Sequence, residues 1–216
     1  MGLLDGAKRY AYRDMKGLTF WTCLFIIGRL VGVSLYVLSL ACQLISGHIL
    51  DLAGPDTTDP FDALAILAMI IYYVTYLVSG ITSLVWIYGA ARNALAMKPG
   101  MDFTPWGAVA WFFVPIANLF KPYQTLKLMW IASGGKVVAN TEPRQVQGWW
   151  VFSIIGNIVL GVVGRLSNAI SGGPVIIIAT IAGLGLIAVG TWLFLKLVRA
   201  IQALQQGADT RVADAF

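Results

Sequence analysis

Four long apolar runs constrain this chain more than any other feature of its sequence. They cover residues 18–45, 63–90, 149–166 and 174–198. A transmembrane helix needs about 20 mostly apolar residues to cross the hydrocarbon core of a bilayer. Only 12% of the residues are charged, whereas charged residues make up about 25% of a typical soluble domain. The sequence therefore predicts an all-α integral membrane protein with four transmembrane helices.

A fifth apolar run, residues 106–120, is too short to be counted with the four. As a helix it would extend over about 22 Å, less than the hydrocarbon core of about 30 Å. Pro115 also interrupts it, because proline lacks the backbone N–H that a continuous helix needs. After Pro122, helical spacing of apolar residues as far as Gly134 predicts a short surface helix. We interpret residues 103–133 as a re-entrant or interfacial segment on the cytoplasmic side.

The Lys and Arg residues are distributed with a strong bias. Of the 15, only Arg29 and Arg165 do not lie before the first run, between the second and third, or at and after the end of the fourth. The connection 46–62 has no Lys or Arg and carries four aspartates, Asp51, Asp56, Asp59 and Asp62. Because short cytoplasmic loops are enriched in Lys and Arg, this pattern predicts that both termini are cytoplasmic.

This topology divides the chain into three parts. A cytoplasmic N-terminal segment, residues 1–17, precedes a membrane domain, residues 18–198, and a cytoplasmic tail, residues 199–216, follows. The membrane domain includes an inner connection, residues 91–148. Since Trp favours the membrane interface, the tryptophans support the same orientation. Five of them are predicted at the cytoplasmic ends of spans, namely Trp21, Trp86, Trp149, Trp150 and Trp192.

Two stretches of the inner connection form an unusual motif. They are Phe103-Thr104-Pro105-Trp106 and Trp111-Phe112-Phe113-Val114-Pro115-Ile116-Ala117-Asn118-Leu119-Phe120-Lys121-Pro122-Tyr123-Gln124. The motif closely resembles the signature of a bacterial membrane family, domain of unknown function 4328. The resemblance extends to a further set of residues on either side, namely Arg92, Asn93, Trp130, Ser133, Trp149 and Trp150.

The resemblance implies a protein of the bacterial inner membrane and carries no activity with it. Relatives often have a small cytoplasmic N-terminal domain, which agrees with the predicted inward N-terminus. The family has an arginine where this chain has Lys121. Because lysine presents a point charge instead of a planar fork, bidentate binding of an anion is not carried over to this chain.

Arg29 is the most unusual single residue, because it lies well inside the first span. An ionised side chain at the centre of a bilayer costs at least about 2.5 kcal/mol. No Asp or Glu lies deep in an apolar run, and the neutral partners at similar depth are Tyr72, Tyr76, Ser79 and Asn157. Arg29 either belongs to a cavity that accepts an anionic headgroup or substrate, or is a structural arginine that bonds across the helix bundle or extends along a tilted helix to the inner interface.

Three helical stripes of polar and small residues are expected to face the interior of the bundle. They are Arg29, Gly32, Tyr36, Ser39 and Gln43; Tyr72, Tyr76, Ser79 and Ser83; and Ser153, Asn157, Gly161, Arg165 and Asn168. Such stripes can line a permeation path. They also serve ordinary helix packing, for which Gly28 and Gly32 have the GxxxG spacing.

A second candidate site lies at the predicted inner face. Its eight residues are Arg92, Asn93, Pro115, Asn118, Lys121, Pro122, Tyr123 and Gln124. Non-helical backbone at membrane depth must be buried in protein or line a wet cavity. We therefore expect the side chains of Asn118 and Gln124 to bond backbone groups that the prolines leave unpaired. The motif is either a shaped binding site or a rigid elbow that returns the chain to the cytoplasm.

Motifs with known chemistry are missing from the sequence. It has no GxSxG, Walker or HExxH motif and a single histidine, His48, so no catalytic residue, cofactor or metal site is predicted. Scattered basic residues disfavour nucleic-acid binding. The expected function is that of a non-enzymatic accessory or scaffold subunit in the lipid bilayer, which binds a membrane-protein partner or a second copy. The alternative is a small transporter, channel or anionic-lipid-binding protein with a polar cavity around Arg29.

Overall fold

The computed structural model of the protein describes residues 10–46, 60–134, 144–167 and 173–213. Several predicted features lie outside these ranges: the outer loop with Asp51, Asp56 and Asp59, most of the N-terminal segment, and Asn168 on the third stripe.

Every regular element in these ranges is helical. Four long helices are α1 (Lys16–Ser46), α2 (Pro60–Met97), α5 (Arg144–Leu166) and α6 (Pro174–Ala213), and two short ones are α3 (Pro105–Ala110) and α4 (Lys121–Ala132). Each of the four long helices is long and apolar enough to cross a membrane. The chain is therefore an all-α integral membrane protein with four transmembrane helices, as the apolar runs predict.

Two of the long helices exceed the length that a bilayer requires. With 38 and 40 residues, α2 and α6 extend over about 57 and 60 Å, against about 30 Å for the hydrocarbon core. Their C-terminal parts carry polar residues, among them Asn93 on α2 and Gln202 and Gln205 on α6. These buried polar side chains contribute to the candidate site described below.

The connection between α2 and α5 contains only short elements. Thr104 caps α3, where its side chain accepts a hydrogen bond of 2.9 Å from the Gly107 N–H. Two 3₁₀ turns follow, Trp111–Phe113 and Ala117–Leu119. The predicted surface helix is α4, which ends before Gly134, a residue whose φ of 86° favours glycine.

The chain forms two compact units. Unit 1 comprises Met1–Leu24, Ile81–Gln147 and Phe194–Phe216, and unit 2 comprises Phe25–Gly80 and Gly148–Leu193. The core of unit 1 includes Trp86, Leu126, Met129, Leu197 and Ile201. The core of unit 2 is built on Val33, Leu40, Tyr72 and Leu184.

Glycines allow close helix packing within unit 2. A Cβ atom on Gly190 of α6 would lie 2.9 Å from Ser153 Oγ, and one on Gly156 of α5 would lie 3.1 Å from the Ile187 backbone nitrogen. On α1, a Cβ on Gly32 would lie 3.3 Å from Tyr72 Cα, whereas one on Gly28 would meet open space. Of the predicted GxxxG pair, therefore, only Gly32 packs against a neighbouring helix.

Candidate functional site

Arg29 lies beside a cluster of tyrosines in unit 2. Its Cζ atom lies 4.5 Å from the centroid of the Tyr76 ring, a cation–π contact. Tyr72 packs between this ring and Tyr36, with centroid distances of 6.1 and 5.7 Å. The structure thus brings Arg29 together with Tyr72 and Tyr76. The sequence predicts these two tyrosines as partners because they lie at a similar depth in their span.

The polar atoms of Arg29 are incompletely satisfied. Its Nε atom is buried and has no hydrogen-bond partner among the described residues. A cation–π contact contributes about 0.5–2 kcal/mol, and the burial of a charge at the centre of a bilayer costs at least about 2.5 kcal/mol. The tyrosines therefore offset only part of the cost of placing this cation within a span.

Asn157 does not join this cluster. It is exposed on α5, and its side-chain amide donates a hydrogen bond of 2.7 Å to the Ser153 carbonyl of its own helix. The neighbouring Gly156 is the residue that turns toward α6, where it packs against Ile187. Because adjacent residues of a helix point about 100° apart, this packing carries Asn157 to another face.

The three predicted stripes differ in burial. On the first two, Gly32, Ser39, Tyr72 and Ser79 are buried, although Tyr76 is exposed. On the third stripe, the residues that follow Ser153 are exposed, namely Asn157, Gly161 and Arg165. The expectation that all three stripes face inward is therefore wrong for α5.

Two cations of the inner-face motif lie against aromatic rings in unit 1. Arg92 Cζ lies 5.7 Å from the Tyr10 ring centroid and 6.0 Å from that of Tyr88. Lys121 Nζ lies 5.6 Å from the Trp111 ring centroid. The Nε atom of Arg92 is buried and has no hydrogen-bond partner in the part of the chain that is described.

At Asn118 and Gln124, two of the three amide residues of this motif, the hydrogen bonds described are made by the backbone. The Asn118 N–H donates to the Val114 carbonyl at 2.7 Å, and the Gln124 N–H donates to the Phe120 carbonyl at 3.1 Å. Within residues 103–134, no hydrogen bond from the side chain of Asn118 or Gln124 to a backbone group left unpaired by a proline is observed, so that expectation is not met there. Around them Pro115 is exposed, Pro122 is buried and Tyr123 is half-buried, which completes the predicted set.

Asn93 is the best-connected member of the motif. Its side chain exchanges two hydrogen bonds with the backbone of Arg13, of 2.8 and 3.0 Å, and donates a third to Gln205 Oε1 at 3.4 Å. Gln205 in turn donates to the Ala90 carbonyl and the Ser133 hydroxyl, both at 3.0 Å. These contacts tie the chain before α1 to α2, α4 and α6 within unit 1.

A second chain of hydrogen bonds runs through the same unit. Trp86 Nε1 donates to Thr19 Oγ1 at 3.0 Å, and Thr19 Oγ1 donates to Gln202 Oε1 at 2.7 Å. Trp86 is fully buried, so it faces the protein interior and serves as a polar core residue. Trp149 is also buried, whereas Trp21 and Trp192 are exposed.

Sequence reasoning missed Thr19, Ser133, Gln202 and Gln205 as members of a network. One available signal was the spacing of Gln202 and Gln205, which places two amides on one helix face directly after an apolar run. The network consists of neutral amides, hydroxyls and an indole, and such groups hold helices in register. Among the described residues, no group of three His, Cys, Asp or Glu side chains is arranged to hold a metal ion.

Comparison with known families gives one match. A family model described as "Domain of unknown function (DUF4328)" matches residues 51–205, well over half of the 216-residue chain. The match confirms the resemblance carried by the motif around Pro115. It includes Tyr72, Tyr76 and the inner-face motif, whereas Arg29 lies before it. No curated protein and no solved structure matches the chain.

Proposed function

Since the chain belongs to the DUF4328 family, whose description names no activity, we propose that it is a non-enzymatic accessory or scaffold subunit of the bacterial inner membrane. In this proposal it holds a transmembrane helix of a partner protein, or of a second copy, against α5. The observation that carries the proposal is the exposure of polar and small residues along one face of that helix.

The exposed face of α5 includes Asn157, Gly161, Gly164 and Arg165. A Cβ atom on either glycine would meet open space, so the backbone is accessible to a second helix along this line. Small residues at such a line let two helices approach closely, and side-chain amides bond across the contact. The face therefore has the composition of a helix–helix contact and not of a lipid-facing surface.

The energetics of Asn157 support the same conclusion. Its amide bonds its own helix, which leaves the side-chain oxygen without a donor among the described residues. An unbonded polar group in an apolar medium costs several kcal/mol. A hydrogen bond between membrane helices contributes about 0.6–2 kcal/mol, so a partner helix that donates to this oxygen is favoured over lipid.

The remaining parts of the proposal rest on charge and chemistry. Lys and Arg are concentrated at both ends of the chain and in the connection between the second and third spans. This distribution favours cytoplasmic termini. Neutral amides in the unit 1 network supply no nucleophile beside a base, which favours a non-enzymatic role. The scattered cations favour contact with a bilayer over contact with nucleic acid.

The test is the state in which the protein is purified from native membranes in a mild detergent. We expect a defined complex, with a co-purifying membrane protein or a second copy, when mass is measured by light scattering. Asn157→Leu and Gly161→Leu should release the partner. The first removes the side-chain amide, and the second places a bulky side chain where the partner helix would approach the backbone of α5. Ile158→Leu and Val162→Leu change neighbouring exposed apolar residues and should leave the complex intact.

A wild-type particle that is strictly monomeric, with no co-purifying protein, would overturn the proposal. If the complex forms and both pairs of variants retain the partner equally well, the partner binds somewhere other than this face of α5. Helical content measured by circular dichroism on each variant shows whether it has folded.

A second function is favoured by the buried, unbonded Nε atom of Arg29. In this alternative, Arg29 and the tyrosines form an anion-accepting site in a small transporter, channel or lipid-binding protein. Arg29→Leu should then abolish anion efflux from proteoliposomes, while Arg165→Leu, which removes an exposed arginine of α5, should not. If Arg29→Leu leaves both efflux and lipid binding unchanged, the alternative is wrong and the arginine is structural.

A further inference from the structure

The connection between α3 and α4 exposes an unusual number of large apolar side chains. Trp106, Phe113 and Ile116 expose 73%, 70% and 76% of their surface. Val114, Leu119 and Phe120 are also exposed. We call residues 106–120 the exposed apolar segment. A contiguous apolar surface of this kind marks contact with a protein or a membrane.

Two cations adjoin this segment and are linked to it by aromatic rings. Tyr88, which contacts Arg92, packs on Trp106 with a centroid distance of 5.0 Å. Lys121 follows the segment directly and lies over the ring of Trp111. Aromatic residues with both apolar and polar parts are typical of the zone where hydrocarbon meets headgroups. The arrangement therefore combines an apolar surface, interfacial aromatics and two positive charges.

Neither cation is neutralised within the described residues. The ion pair found among the described residues joins Lys16 to Asp14, and no carboxylate oxygen within the described ranges lies at salt-bridge distance from Arg92 or Lys121. The Nε–H of Arg92 is a buried donor without an acceptor among the described residues. An anion with several oxygen acceptors would pair with the positive charges of the two side chains.

We propose that the exposed apolar segment contacts the acyl chains of anionic phospholipids, whose phosphate headgroups bind at Lys121 beside Trp111 and at Arg92 beside Tyr88 and Trp106. A lipid in the bilayer fits better than free phosphate, because a small ion would make no favourable contact with the apolar residues beside the cations. A lipid also fits better than an acidic peptide. Tyr88 and Arg92 lie on α2, which is a transmembrane helix, so lipid is already next to them. The proposal is independent of the partner helix proposed for α5.

The first test uses the wild-type protein in nanodiscs that contain phosphatidylcholine and phosphatidylglycerol in equal amounts. In separate samples, one lipid or the other carries brominated acyl chains, which quench nearby tryptophans. We expect stronger quenching of tryptophan fluorescence by brominated phosphatidylglycerol. Equal quenching by the two lipids would overturn the proposal without the use of any variant.

The second test counts the lipids that remain bound to the detergent-purified protein in native mass spectrometry. Lys121→Gln should lower the preference for phosphatidylglycerol by about fivefold, since a basic residue at an anionic surface contributes about 1 kcal/mol. Lys98→Gln is the matched control, because Lys98 is an exposed lysine of the same unit. It should keep the wild-type preference.

Competition with inorganic phosphate separates a lipid site from a simple anion site. Phosphate at millimolar concentration should not displace the retained phosphatidylglycerol, because the acyl-chain contacts belong to the lipid alone. Displacement by phosphate, or an equal loss of preference in Lys121→Gln and Lys98→Gln, would show that the motif is not a lipid headgroup site.

Discussion

Asn93 and Gln205 share a buried hydrogen bond of 3.4 Å between their side-chain amides. Each residue is 1% exposed, and each holds a different part of unit 1. Asn93 bonds both backbone groups of Arg13, and Gln205 bonds Ala90 and Ser133. Because unbonded amides are costly when buried, this pair fixes the register of the segments around it.

Asn93→Leu should therefore destabilise the protein more than most single changes. It leaves the Arg13 N–H and carbonyl groups without their partner and removes the donor to Gln205 Oε1, for a loss of about 2 kcal/mol. The free energy of unfolding in mixed micelles measures this loss. Asn118→Leu is the control, because the hydrogen bond described at Asn118 is made by its backbone. Equal losses in the two variants would contradict the assigned role of Asn93.

Gln205 and Ser133 should be energetically coupled. Gln205→Met and Ser133→Ala each break the 3.0 Å hydrogen bond between Gln205 Nε2 and the Ser133 hydroxyl. The double variant should be about 1 kcal/mol more stable than the sum of the two single losses predicts. Additive losses, measured by the same unfolding assay, would mean that the two side chains do not act together.

The architecture was predictable because hydrocarbon imposes a simple rule on sequence. Spans of about 20 apolar residues are easily recognised, and α1, α2, α5 and α6 contain the four predicted runs. The connection was also interpretable, since Pro122 and Gly134 frame α4. The Thr104–Pro105 start of α3 carried a readable cap signal.

The interior of the candidate sites was less predictable, because helical periodicity does not say which face meets a neighbour. The stripe that contains Asn157 is as regular as the one that contains Tyr72, yet Asn157 is exposed and Tyr72 is buried. A close glycine contact determines which face of α5 is buried, since Gly156 packs against Ile187 of α6 and the stripe with Asn157 lies on another face. The interfacial preference of Trp likewise gave no warning that Trp86 bonds Thr19 inside unit 1.

Gly190→Ala should destabilise unit 2. The added Cβ would lie 2.9 Å from Ser153 Oγ and 3.2 Å from the Ser153 backbone nitrogen, so α5 and α6 must separate to admit it. Thermal unfolding should show a lower melting temperature. Gly185→Ala on the same helix meets open space and should be neutral or stabilising by up to about 1 kcal/mol, because Ala favours helix over Gly. A reversed order would show that the two helices do not approach at Gly190.

The proposed orientation of the membrane domain predicts the sidedness of two exposed residues. In a background without Cys23 and Cys42, Lys98→Cys should react with an impermeant maleimide only after the cells are opened, and Ser167→Cys should react in intact cells. Both positions are exposed, so accessibility depends on the side of the membrane. Labelling of Lys98→Cys in intact cells would overturn the assignment of the inner connection to the cytoplasm.

Thr19→Val should cost about 2 kcal/mol, because it removes the acceptor of the Trp86 indole and the donor to Gln202. Thr180→Val is the matched control, since among the described residues Thr180 bonds the Ile176 carbonyl of its own helix alone, and it should change stability by less than about 0.5 kcal/mol. Gln202 is buried, and its Nε2 atom already has no partner among the described residues. Adding Gln202→Leu to Thr19→Val should therefore recover part of the loss, because it removes a buried amide that no longer has a partner. A double variant less stable than Thr19→Val alone would show that Gln202 is bonded elsewhere.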